Sequence, residues 1–230
     1  MVNIMLDRSL LVLALCSSVF VAACNDDDDD DDNNSLVRVV NASNSAIDVA
    51  SGTTIATGNG NIGFGSGSTC LTTNSVYPDL NVSPAGTTNT YSSFSPDFLP
   101  GQRYVTIAYP GFSGAIEFAD IPTGGVPPVG QAGLRVFNAA AGSATYDVYV
   151  TGTGAALGTA AATGIGFRTA SGYINVAPGT NLVRLTNAGT QTVLINAGNL
   201  AFTADQNAVL VIAPPAAGTT AFRTFFVSAC

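Results

Sequence analysis

The sequence predicts an all-β protein: two tandem immunoglobulin-like antiparallel β-sandwich domains placed after a signal helix and a disordered acidic tether. Three observations carry that expectation. Runs such as "RYVTIAY", "TYDVYV", "GYINV" and "NAVLVIA" are short, rich in Val, Ile, Tyr and Thr, and punctuated by Gly, Pro, Asn and Ser. No helical period survives beyond the first 23 residues. Four blocks recur in the same order, so one domain is written twice.

Taken in order, residues 1–23 read as an export signal. Leu10 to Ala23 is an apolar segment of 14 residues, shorter than the roughly 20 needed to cross a bilayer as a helix and suited to a signal-peptide core. Arg8 precedes it. Val21-Ala22-Ala23-Cys24 resembles the bacterial lipobox, in which small residues precede a cysteine that becomes the new N-terminus. The resemblance implies cleavage before Cys24, a diacylglyceryl thioether on its thiol and a fatty acyl chain on its amine. Each buried methylene contributes about 0.8 kcal/mol, so two or three chains hold the protein on a membrane where one would not. The alternative is an ordinary signal peptide cut near Ala23, with Cys24 left as a thiol. Asn25 stands after the cysteine in place of the aspartate that retains such proteins in the inner membrane of enteric bacteria, which favours the outer membrane.

Residues 24–34 hold the lipidation site and the tether. Asp26 to Asp32 are seven adjacent carboxylates that repel one another and bury nothing, so the segment is expected to stay extended. At roughly 3.3 Å per residue it lifts the folded part up to about 30 Å from the lipid. It also explains the acidity: of the net charge of −8, this run supplies −7, leaving −1 for everything else. Arginine occurs seven times, and lysine, histidine and tryptophan never. A nucleic-acid partner is not expected, because phosphate neutralisation needs clustered cations.

Residues 35–120 form the first sandwich, 121–133 a Pro/Gly-rich linker, and 134–230 the second sandwich. "LVRVVNASNSAIDV" aligns with "GLRVFNAAAGSATYDV", pairing Arg38 with Arg135, Asn41 with Asn138 and Asp48 with Asp147. "NIGFGS" parallels "GIGFRT", "VSPAGT" parallels "VAPGT", and "YVTIAYPG" parallels "AVLVIAPP". On this alignment the first copy carries an insertion that contains Cys70. In "ATYDVYVT", Tyr146, Val148 and Val150 share one face and Asp147, Tyr149 and Thr151 the other, as a half-buried strand requires.

The Arg-Val-x-Asn-Ala strand, the Asp-Val-Tyr-Val strand, the Gly-Phe segment and the Pro-Gly-Thr turn together resemble an uncharacterised domain of unknown function, DUF4397, found often in tandem in bacterial envelope lipoproteins. The second copy matches better, through Arg135, Asn138, Asp147, Val148, Tyr149 and Val150, whereas Ala50 and Ser51 come after Asp48-Val49 in the first. The resemblance implies a secreted or surface β-sandwich module and no established reaction.

The repeated polar residues are expected to be structural: Arg38 with Asp48, and Arg135 with Asp147, as bidentate pairs tying adjacent strands, and Asn41 and Asn138 as caps of the turns after their strands. A ligand pocket used twice is the alternative. Once Cys16 leaves with the signal and Cys24 is lipidated, Cys70 and Cys230 remain, and a bridge between them would pin the last strand of the second copy onto the first.

The absence of histidine removes Ser-His-Asp and Cys-His catalysis and imidazole zinc ligands, and the absence of lysine removes Ser-Lys pairs and Schiff bases. No catalytic residue, cofactor or metal site is therefore expected. The function expected is a non-catalytic, membrane-anchored envelope protein that displays two modules for protein or matrix contact. One alternative is glycan binding through Tyr77, Tyr91, Tyr109 or Tyr149; the other is a hydrolase built from carboxylates alone.

Overall fold

A computed structural model describes residues 33–91 and 94–230. Cys24, its preceding Val21, Ala22 and Ala23, and the aspartate run lie outside the described residues, as does the signal segment. Among the described residues the chain forms fourteen strands. The first half contains β1 (Asn34–Asn41), β2 (Ile47–Ser51), β3 (Leu71–Asn74), β4 (Leu80–Pro84), β5 (Arg103–Pro110) and β6 (Ile116–Pro122). The second contains β7 (Ala132–Asn138), β8 (Tyr146–Gly152), β9 (Ala162–Ile165), β10 (Ile174–Val176), β11 (Gly179–Asn187), β12 (Val193–Phe202), β13 (Asn207–Ala213) and β14 (Arg223–Ser228). The all-β class is as expected.

Four sheets stack with three buried layers between them. The inner sheets have matching orders, β3-β1-β5-β6 and β10-β7-β13-β14; the outer sheets are β2-β4 in the first half and β12-β11-β8-β9 in the second. Val37 and Val39 of β1 pack with Ile47, Val49, Leu80 and Val82 of the first outer sheet. Leu134 and Val136 of β7 pack with Tyr146, Val148, Val183 and Leu185 of the second. The third layer lies between the halves: Val40, Val105, Ile107 and Tyr109 meet Phe137, Val209 and Val211. Because strands β5 and β13 are covered on both faces, they read as nearly unbroken apolar runs, "YVTIAY" and "AVLVIA". In β8, Tyr146 and Val148 lie in the core with Val150 packed against it, as predicted, but Asp147 and Tyr149 on the opposite face are buried too, so the strand is not half-buried.

Two sequence expectations change. The sheets are not wholly antiparallel: β1 runs parallel to β5 and β7 parallel to β13, because each pair is separated by a crossover through the outer sheet. The insertion around Cys70 also disappears. Asp48 faces Ser83 across β2–β4 and Asp147 faces Thr186 across β8–β11, so "VSPAGT" corresponds to "LTNAGT" (185–190) and not to "VAPGT". Val37 faces Leu71 where Leu134 faces Ile174, which puts Cys70 in the position of Tyr173.

Backbone conformation obeys the same correspondence. Three non-glycine residues among those described have positive φ, Asn61 (52°), Arg168 (64°) and Asp205 (61°). Each has a positive-φ glycine at the matching place in the other half: Gly164, Gly65 and Gly101. These turns demand a left-handed residue, and glycine supplies it without a Cβ clash.

Candidate functional site

The repeated arginines and the pair Cys70 and Cys230 meet at the seam between the halves, and the repeated aspartates and asparagines hold loops of each half. Arg38 and Asp48 do not pair, nor do Arg135 and Asp147. Side chains alternate along a strand, so Arg38 points away from the face that carries Val37 and Val39 toward the outer sheet, while Asp48 belongs to that outer sheet. Each arginine instead crosses the seam. Arg38 donates from Nη1 to the carbonyl of Ser228 at 2.8 Å, and Arg135 donates from Nη1 to the carbonyl of Pro122 at 2.9 Å. Val105 faces Ile121 where Val209 faces Val227, so Pro122 and Ser228 are themselves counterparts. The contact is reciprocal, as in an isologous dimer interface joined into one chain.

The aspartates fasten loops. Asp48 accepts from the amides of Asn61 (2.6 Å) and Gly86 (2.7 Å); Asp147 accepts from those of Gly164 (3.0 Å) and Gly189 (2.7 Å). A carboxylate holding two backbone amides ties two loops to one strand with charge-assisted bonds. Asn41 accepts from the amide of Ser43 and donates to the carbonyls of Ser45 and Ile62. Asn138 accepts from the amide of Ala140 and donates to Ile165. Both amides thus stitch the turn after the first strand to the Gly-Phe loop.

The seam closes differently at its two matching corners. In one, Tyr173 accepts from the amide of Gly125 at 3.0 Å and donates to Pro122 at 3.1 Å, with the Arg135 guanidinium 5.4 Å from its ring centre. Burial holds Arg135 below its ordinary pKa, with a smaller opposing effect from Tyr173. In the other, Cys70 is bonded to Cys230, with a Cα–Cα distance of 5.8 Å across 160 residues of sequence. The predicted cysteine pair is present, and it joins the last residue described to the first half.

Two aromatic corners flank these clasps. Phe64 of the first half meets Phe225 edge-on at 5.5 Å, under the guanidinium of Arg223. Phe167 of the second meets Tyr109 (6.0 Å) and Phe112 (4.7 Å) edge-on, under Arg168, which also pairs with Glu117. Hydrogen bonding to Glu117 raises the Arg168 pKa, and burial raises that of Tyr109. Sequence reasoning names Tyr109 only as a candidate for sugar stacking and passes over Phe112, Phe225, Arg168 and Arg223; the Gly-Phe repeat is the signal that could find this cluster.

At one end of the seam a cleft of about 580 Å³ opens, lined by Gly101 to Arg103 and Thr123 to Pro127 on one side and by Asp205 to Asn207 and Ser228 to Cys230 on the other. The two sides are counterparts, with Gln102 matching Gln206 and Arg103 matching Asn207, so the cleft straddles the reciprocal axis. Arg103 donates to the carbonyl of Cys230 at 3.3 Å, and Asn207 to that of Thr123 at 2.8 Å. Thr123 Oγ1 and Asn207 Oδ1 are buried without a hydrogen-bond partner, so polar groups face this end of the seam with capacity unspent. The tyrosines considered for sugar stacking separate: Tyr109 and Tyr149 are core residues, Tyr91 is part-buried against Phe118, and Tyr77 is 82% exposed.

Comparison with known proteins bears on the second half. Residues 132–228 match the family described as Domain of unknown function (DUF4397). No curated protein matches the chain. Among solved structures, the C-terminal domain of AlgF from P. aeruginosa is similar at 13% identity, covering 43% of this chain and 98% of that one, with a TM-score of 0.30.

Proposed function

We propose that this is a non-catalytic envelope protein, anchored in a membrane by acyl chains on Cys24, which displays two β-sandwich modules on an acidic tether as one rigid unit for contact with envelope proteins or matrix. The observation that carries the reading is the Cys70–Cys230 disulfide, which belongs to an oxidising compartment outside the cytoplasm. It agrees with the lipobox-like Val21-Ala22-Ala23-Cys24 and with the export signal before it. Asn25 favours the outer membrane over the inner. The reciprocal seam supports reading the first half as a diverged second copy of the DUF4397 domain, since its inner sheet, arginine clasp, aspartate ties and left-handed turns all have partners in residues 132–228.

The test is fractionation of cells that express the full chain. The native protein is expected in the outer-membrane fraction, with a diacylglyceryl-modified Cys24 at the start of its N-terminal peptide by mass spectrometry. Cys24→Ser is expected to move it to the soluble fraction with its thermal unfolding unchanged. A Cys24→Ser chain that still sediments with membranes, or a native chain with an unmodified Cys24, overturns the anchor.

A further inference from the structure

The two matching corners of the seam differ in how their arginines are used. Arg135 gives Nε to the carbonyl of Ser171 at 3.0 Å and Nη1 to Pro122, and its face to Tyr173, so its Nε is spent on a fixed partner. Arg38 gives Nη1 to Ser228 in the matching way, but its Nε is buried with no partner, and its Nη2 stands 3.4 Å from Cys70 Sγ. A guanidinium beside a neutral disulfide sulfur makes a weak bond. Beside a thiolate it makes a charge-assisted one, and the unspent Nε lies in the same fork.

The surroundings of the disulfide favour negative charge further. Cys70 is exposed, and Cys230 is half-buried and lines the cleft at the end of the seam, where Arg103 donates to its carbonyl. Asp205, the carboxylate side chain lining that cleft, accepts from the amide of Gly130 at 3.0 Å.

We infer that Cys70–Cys230 is a thiol-exchange site at which a small anionic thiol is taken up on Cys230 while Arg38 holds Cys70 as the departing thiolate. The incoming thiolate forms a bond to Cys230 Sγ; the Cys70–Cys230 bond breaks; its electron pair leaves on Cys70 Sγ, which Arg38 Nη2 already faces. One disulfide is consumed and one mixed disulfide is made, so this step needs no further oxidant or reductant. Attack by a second thiolate on the mixed disulfide releases the small disulfide and leaves two protein thiols. Direction is set by the leaving group, because the sulfur whose thiolate is better stabilised departs faster. The cleft of about 580 Å³ has room for a tripeptide-sized thiol next to Cys230, and Arg103 draws its negative charge. The site is independent of the lipid anchor.

The experiment uses the full chain with Cys16→Ser and Cys24→Ser, so that the sulfur pair is the one source of signal, and glutathione as the probe. Exchange is quenched in acid at early times, free thiols are alkylated, and the adduct is mapped by peptide mass spectrometry. The glutathione adduct is expected on Cys230 with the alkyl group on Cys70. Arg38→Met is expected to slow exchange by roughly threefold or more and to spread the adduct over both cysteines, and Arg38→Lys to restore the preference. Cysteamine, a cationic thiol, is expected to react more slowly than glutathione at equal thiolate concentration. An adduct on Cys70 or an even split in the chain with Arg38 intact overturns the inference without any arginine variant, so loss of folding in Arg38→Met cannot shield it. An unchanged rate in a folded Arg38→Met chain, or cysteamine reacting as fast as glutathione, overturns it equally.

Discussion

The two halves of the molecule build the same inner sheet and finish the outer one differently. In the second half β11 is flanked by β12 and β8 by β9, giving four outer strands; in the first, β2 and β4 stand alone. What replaces the missing strands is loop. The isolated bridge between Ile47 and Ile62 stands where Tyr146 pairs with Ile165 at the end of β9. A single bond from the Tyr91 amide to the Val82 carbonyl stands where Leu185 pairs with Ile195 of β12. Tyr91 and Phe94 then pack on Phe118, filling by aromatic volume what the second half fills by a strand. The inner sheet tolerates no such change, because each of its faces is part of a buried layer. The doubly covered layer is thus what keeps the halves alike, and the family match falls on the half whose outer sheet is complete.

If the halves are one cooperative unit, the largest effect comes from their shared layer. Phe137 is 1% exposed and packs on Tyr109 across the seam at 5.5 Å. Phe137→Ala is expected to cost about 3–5 kcal/mol and to shift a single thermal transition of the whole protein. Two separated transitions, one unmoved, would break the comparison into independent domains.

The corners come next. Removing the disulfide with Cys70→Ala and Cys230→Ala is expected to cost about 2–4 kcal/mol, against about 1 kcal/mol for Tyr173→Phe at the matching corner. Urea midpoints of the two variants measure the difference, and equal losses would show that the bridge adds nothing beyond a hydrogen-bonded clasp. Asp48→Ala and Asp147→Ala each orphan two loop amides, and each is expected to cost about 1.5–3 kcal/mol. Their near-equality, read in the same assay, is the check that the loop ties are equivalent.

The smallest effect is a difference in pH response. Thr106 faces Asp120 in the first half where Leu210 faces Phe226 in the second, an exchange of an apolar pair for a polar one. Burial raises the Asp120 pKa from its ordinary 3.8, against the hydrogen bonds from Thr106 and from the Asp97 backbone, with the charge of Asp97 a smaller addition. A carboxyl raised on folding binds its proton more tightly in the folded state. Its contribution to stability is therefore present below the unfolded value and lost as pH rises through the raised one. Asp120→Asn is expected to remove that decline and to raise the melting temperature at neutral pH, and a variant whose melting curve still falls over the same interval would assign the decline elsewhere.

Much of the fold is legible in the sequence. Short β-branched runs between Gly and Pro mark the strands, repeated blocks mark the correspondence of the halves, and the cysteine count marks the bridge. The arginines and aspartates stand out as repeated, yet the pairing that the sequence suggests for them is wrong. Proximity along the chain points to contact within a half, whereas a reciprocal interface sends each arginine to the other half, and one copy of a repeat carries no sign of that. "VSPAGT" resembles "VAPGT" because proline and Gly-Thr recur in both, although the structural partner "LTNAGT" keeps the Ala-Gly-Thr turn and lacks the proline. The unbroken apolar runs of β5 and β13 are the available hint of a third buried layer, since a strand covered on one side alternates.

The bridge between Cys70 and Cys230 also bears on biogenesis. Translation delivers the chain from its amino end, so the first half must wait for the last residue described before its corner can be locked. Until then the apolar side of β1 and β5, with Val40, Val105, Ile107 and Tyr109, has nothing to lie against. Contacts this distant along the chain form slowly. A holding chaperone that met the growing chain would find an unfinished surface that the folded protein never shows.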